Sequence, residues 1–145
     1  MAEIHALVVD NSPVIRKIVS YVLEAEGCIV QTADDGLEAL DCISQHRPDV
    51  IFTDLIMPKI DGEKLCYIIR NTKELEDIFL VVLSGVAMED DDHTLRIGAD
   101  VCIAKGPAAT MTIHIKAALP IRKFIENAFR KYHHQLFLNI EKASA

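Results

Sequence analysis

Residues 50–62 read VIFTDLIMPKIDG, and the fold can be decided from how this stretch is parsed. Val50 to Thr53 is apolar or β-branched at every position, Asp54 closes the run, and Met57-Pro58 and Asp61-Gly62 punctuate the segment beyond it. A short run without polar alternation predicts a strand covered on both faces, the signature of a parallel sheet with crossover helices. Four more such runs flank it: Ala6 to Val9, Cys28 to Thr32, Ile78 to Leu83 and Val101 to Ala104. Five strands interleaved with helical patterns predict a doubly wound α/β fold.

The first helix is expected to start at Ser12 as N-cap with Pro13 at its first position. It carries Val14, Ile15, Ile18, Val19, Val22 and Leu23 on one face and stops at Gly27. A second carries Leu37, Leu40 and Ile43 before Pro48, and a third, after Asp61-Gly62, carries Leu65, Ile68 and Ile69. A fourth begins near Met88, with Glu89 to Asp92 in its first turn where the helix dipole favours acids. A last helix spans Ala108 to Leu119, and Pro120 is expected to break it. Beyond Pro120, Ile121, Ile125, Phe129, Tyr132, Leu136 and Ile140 recur at helical spacing. The chain therefore divides into a main domain, 1–119, and a C-terminal helical extension, 120–145, read as a dimerisation segment, a fold-back element or a linker.

Composition narrows the function. The 145 residues suit a single domain with one core. A net charge of -7 and a pI near 5.3 disfavour nucleic acid as a partner, because phosphate backbones are met by clustered Lys and Arg. No apolar run reaches the roughly 18 residues of a membrane span, and the N-terminus lacks the pattern of a signal peptide, so a cytoplasmic protein is expected. Cys28, Cys42, Cys66 and Cys102 are far apart and form no metal-binding or redox pair, which leaves them as reduced thiols.

Ligands of open parallel sheets bind beyond the carboxyl ends of the strands. Those ends are Asp10-Asn11, Asp54, Ser84 and Lys105. Two acids, an amide, a hydroxyl and an ammonium are the inventory of a metal-assisted phosphoryl transfer. Asp54 is the nucleophile that would form an acyl phosphate. Asp10 and Asn11 offer oxygen ligands to Mg²⁺, which typically takes one or two carboxylates, waters and phosphate oxygens. Lys105 would neutralise a phosphoryl oxygen and Ser84 would donate to another.

The segments LVVDNSPVIRK, IFTDLIMPKIDG, VVLSG and CIAKGP resemble the receiver domains of two-component response regulators, over about residues 4 to 119. The resemblance implies a flavodoxin-like receiver fold, Asp54 as phosphoacceptor, and a Mg²⁺ site of Asp10, Asn11, Asp54 and the backbone carbonyl of Ile56. It also implies a sensor histidine kinase or phosphotransfer protein as donor. Phosphorylation would then switch the face built by the fourth helix, fifth strand and last helix, to control an output partner or attached domain. Beyond self-phosphorylation and autodephosphorylation no enzyme activity is implied. The alternative is a pseudo-receiver, a scaffold that is never phosphorylated.

Three departures from the family pattern stand out. Asn11 occupies the place of a second acid and should weaken Mg²⁺ binding. Gly106 is inserted between Lys105 and the usual proline, here Pro107. Cys102 stands where the family places a rotating aromatic.

Overall fold

The computed structural model describes residues 3–85 and 97–125. Five strands form one sheet: β1 (His5–Val9), β2 (Ile29–Ala33), β3 (Val50–Asp54), β4 (Phe79–Ser84) and β5 (Val101–Ala104). Their order is β2-β1-β3-β4-β5 and every pairing is parallel, so the doubly wound topology expected from the sequence is present. The helices between them are α1 (Pro13–Ala25), α2 (Gly36–Gln45) and α3 (Gly62–Arg70), and a C-terminal helix begins at 108. The expected helix near Met88, with its acidic first turn, falls largely outside the described residues.

Local chemistry sets the helix starts. Ser12 caps α1 by accepting from the Ile15 N–H, with Pro13 at the first position as anticipated. Asp35 and Asp61 cap α2 and α3 by accepting from the N–H groups of Glu38 and Lys64. Each satisfies a donor that the helix itself cannot.

The strand residues divide by parity between two cores. Ala6, Val8, Phe52 and Val81 meet α1 and the C-terminal helix through Val19, Leu23, Met111 and Ile115. Leu7, Val9, Ile51 and Val82 meet α2 and α3 through Ala39, Ile43, Leu65 and Ile69. β1, β3 and β4 are therefore buried along almost their whole length, while the edge strand β2 is largely exposed. Two apolar positions of the helical patterns point outward instead, Val14 at 65% exposure and Leu37 at 48%.

Pro120 does not break the last helix, which runs from 108 through 125. Proline in a helix interior costs about 3 kcal/mol, because it removes a hydrogen bond and crowds the carbonyl four residues earlier. Here that carbonyl belongs to the exposed Lys116, on the side of the helix that water reaches. Burial repeats at Met111, Ile115, Ala118 and Ile125, spaced four, three and seven, so one face stays on the sheet across the proline. Leu119 and Ile125 pack on the core, and Lys116 pairs with Glu26 at 3.7 Å. Of the expected C-terminal stripe, Ile121 is 42% exposed and Ile125 is half-buried in cis; Phe129, Tyr132, Leu136 and Ile140 lie outside the described residues.

Candidate functional site

The strand order reverses between β1 and β3, and Asp10 and Asp54 stand at the carboxyl ends of those two strands. This is where an open α/β sheet forms its crevice. Both acids are buried, Asp10 to 0% and Asp54 to 7% exposure. Lys105, directly after β5, reaches across with its ammonium 2.8 Å from Asp10 Oδ2 and 3.1 Å from Asp54 Oδ1. Two carboxylates and one ammonium leave the cluster with one uncompensated negative charge. Burial opposes the charge on Lys105, but hydrogen bonds and attraction from Asp10 and Asp54 outweigh it and hold its pKa above the ordinary lysine range.

Lys105 keeps this position despite the inserted residue. Its N–H donates to the Ser84 carbonyl at 2.7 Å, which carries the β4–β5 pairing past the end of β5. The Pro107 carbonyl accepts from Met111 N–H in the first turn of the next helix. The extra length is thus confined to Gly106, which has open space around it, and no cis peptide occurs among the described residues.

Ser84 ends β4 and is buried, one residue past Leu83, the register partner of Asp54. Asn11 lies exposed on the rim beside Asp10, and Ile56 is 70% exposed two residues past Asp54. Cys102 is half-buried in β5 opposite Val82. The structure therefore brings Asp10, Asp54 and Lys105 into contact, sets Ser84 on the neighbouring strand, and leaves Asn11 and Ile56 on the rim.

The donor set fits a hard divalent cation. Asp10 Oδ1 accepts from the Ser12 N–H at 2.8 Å, and the buried Oδ2 faces the Lys105 ammonium at 2.8 Å. With Asp54 beside the same ammonium, the pair carries a surplus negative charge that a cation would offset. Among the described residues no three His, Cys, Asp or Glu side chains form a metal cage. Two carboxylates and an amide match Mg²⁺, which retains much of its water, better than zinc or calcium.

Several residues around the crevice carry no signal in the sequence. Arg16, on α1, donates from Nη1 to the Asp10 carbonyl at 2.5 Å and pairs with Asp34 through Nη2 at 3.2 Å. Lys59, at φ 65°, pairs with Asp35 at 3.2 Å and ties the loop after β3 to α2. The N–H of Glu38, helped by Lys59, holds the Asp35 carboxyl below its usual range against a smaller effect of burial. At Gly62 and Gly36 backbone passes so close that a β-carbon would meet the Asp54 and Ile60 carbonyl oxygens at 2.1 and 2.2 Å. Of these, only Gly62 was marked in the sequence, as the glycine of Asp61-Gly62.

A five-stranded parallel α/β domain with an acid pair and a lysine at its switch point defines a class, and the comparisons give its family. Residues 6–116 match the response regulator receiver domain, and the chain belongs to that family. It is 36% identical over 100 residues to Protein PilG of Pseudomonas aeruginosa, covering 68% of this chain and 74% of that protein. It is also 36% identical over 126 residues to the probable transcriptional regulator ycf27 of Guillardia theta, covering 87% of this chain but about half, 48%, of that longer protein. Among solved structures, the chemotaxis response regulator CheY4 of Vibrio cholerae superposes with a TM-score of 0.73 at 28% identity, covering 83% of this chain and 99% of that one. The phosphorylated cyanobacterial phytochrome response regulator RcpA gives 0.73 at 26% identity, covering 81% and 91%. No helix among the described residues is long and apolar enough to cross a membrane.

Proposed function

We propose that this receiver domain is phosphorylated on Asp54 and passes the signal on through its surface. The observation that carries the reading is the convergence of Asp10, Asp54 and Lys105 at the switch point, with the ammonium bridging both carboxylates. A Mg²⁺ ion held by Asp10, Asn11, Asp54 and the Ile56 carbonyl would neutralise charge on the phosphoryl oxygens. An Asp54 carboxylate oxygen attacks phosphorus, and the donor's bond to phosphorus breaks with its electron pair leaving on the donor, a histidine side chain of a sensor kinase or phosphotransfer protein. Lys105 turns from the carboxylates to a phosphoryl oxygen, and Ser84 donates to another. These are electrostatic and positioning contributions, which dominate phosphoryl transfer.

The added charge and acceptor oxygens draw on Ser84 and Lys105, at the ends of β4 and β5, and so favour a second state of the adjoining surface. A partner or attached output domain that prefers that state completes the signal. The outward side of the C-terminal helix, with Ile113 at 66% and Phe124 at 75% exposure, offers an apolar face to a second copy of the chain. Light scattering of the full chain at high micromolar concentration tests that pairing, and a monomer there refutes it.

Intact mass after incubation with acetyl phosphate and Mg²⁺ tests the main reading. One added phosphate, absent in Asp54→Asn, is expected. Asn11 favours one second reading, the unphosphorylated scaffold, since it removes a charge from the metal site; an unmodified wild-type mass would establish that alternative.

A further inference from the structure

We propose that Arg16 is a positioning residue for the cation site, acting through the Asp10–Asn11 peptide; this rests on the metal reading above. At the end of a strand a carbonyl loses its ladder partner, and the Asp10 carbonyl is such a group. Arg16 supplies the missing donor, with Nη1 at 2.5 Å. The Arg16 side chain is only 18% exposed, and its guanidinium is itself anchored by Asp34 at 3.2 Å. Asp10 is held at two further points, by its own N–H on the Ala33 carbonyl at 3.2 Å and by Ser12 N–H on its Oδ1 at 2.8 Å. These bonds fix both ends of Asp10 and the plane of the peptide that leads to Asn11. The direction in which Asn11 leaves the backbone, and the aim of Asp10 Oδ2, are thereby set from α1.

The support matters more here than with two acids at 10 and 11. A carboxylate draws Mg²⁺ at a distance by its charge, whereas a neutral amide binds only if its oxygen is already in place. Arg16 also brings a positive charge near the site, which by itself repels a cation. Positioning and charge thus predict opposite signs when Arg16 is removed.

Titration calorimetry of the full chain with MgCl₂ alone reads the difference, beside urea unfolding of the metal-free protein. Groups that orient metal ligands typically contribute 10–100-fold to affinity, so Arg16→Met is expected to weaken Mg²⁺ binding by about tenfold or more. Arg16→Lys keeps the charge but loses the two-pronged geometry, and should recover only part of that loss. Asp34→Asn, which breaks the anchor but spares the Asp10 bond, should fall between wild type and Arg16→Met. A stability loss in Arg16→Met with unchanged Mg²⁺ affinity would make Arg16 merely structural and overturn the proposal. Tighter Mg²⁺ binding would overturn it too, showing a repelling charge. If wild type takes up no Mg²⁺ at all, the metal reading itself fails and this inference falls with it.

Discussion

Lys105→Met should destabilise the metal-free protein by about 2–4 kcal/mol at pH 7. In the wild type one ammonium lies 2.8 and 3.1 Å from two buried carboxylates. Removing one partner of a buried pair commonly costs about 3–5 kcal/mol. Methionine preserves the volume but leaves Asp10 and Asp54 facing each other without a counter-charge. Lys105 keeps 19% exposure, and solvent brings the cost down to about 2–4 kcal/mol. Urea unfolding in EDTA at pH 7 measures the loss, and saturating Mg²⁺ should restore most of it. A loss below about 0.5 kcal/mol would refute the bridge as a stabilising element.

Gly62→Ala should cost about 3 kcal/mol and weaken Mg²⁺ binding, since its methyl would meet the Asp54 carbonyl oxygen at 2.1 Å; Gly106→Ala, with nothing within 4 Å, should change urea stability by less than about 0.5 kcal/mol. Asn11→Asp should raise Mg²⁺ affinity by about an order of magnitude, and unchanged calorimetry would show that position 11 is not a ligand. Pro120→Ala should stabilise the chain by about 1–3 kcal/mol, read as a higher unfolding midpoint, because the helix already runs through that position. Burial pushes the Cys66 thiol up to about 11 against a smaller opposing effect of Arg70. Its pKa is raised on folding, so its contribution is complete below the unfolded thiol's pKa and is lost as pH climbs toward about 11. Unfolding midpoints measured from pH 8 to 11 should therefore fall less steeply in Cys66→Ala than in wild type.

The five strands, the starts of α1 and α3 and the strand-end position of Asp10, Asp54, Ser84 and Lys105 were legible in the sequence, because each rests on local chemistry. Apolar runs of four to six residues pair in parallel only if covered on both faces, and Ser12 and Asp61 can cap a helix wherever the chain folds. What the sequence could not supply are relations between elements. Pro120 reads as a stop on any propensity scale, yet the helix continues because Ile125 finds the core on the far side, and that gain is tertiary. The inserted Gly106 is harmless because the Ser84 carbonyl holds Lys105 ahead of it. Arg16 gains its role only where α1 folds back beside Asp10, and Gly62 is required because α3 starts against the Asp54 carbonyl. Strand identity is written in neighbouring residues, whereas the contact of Lys105 with two acids, 95 and 51 positions away along the chain, exists only after the sheet has assembled.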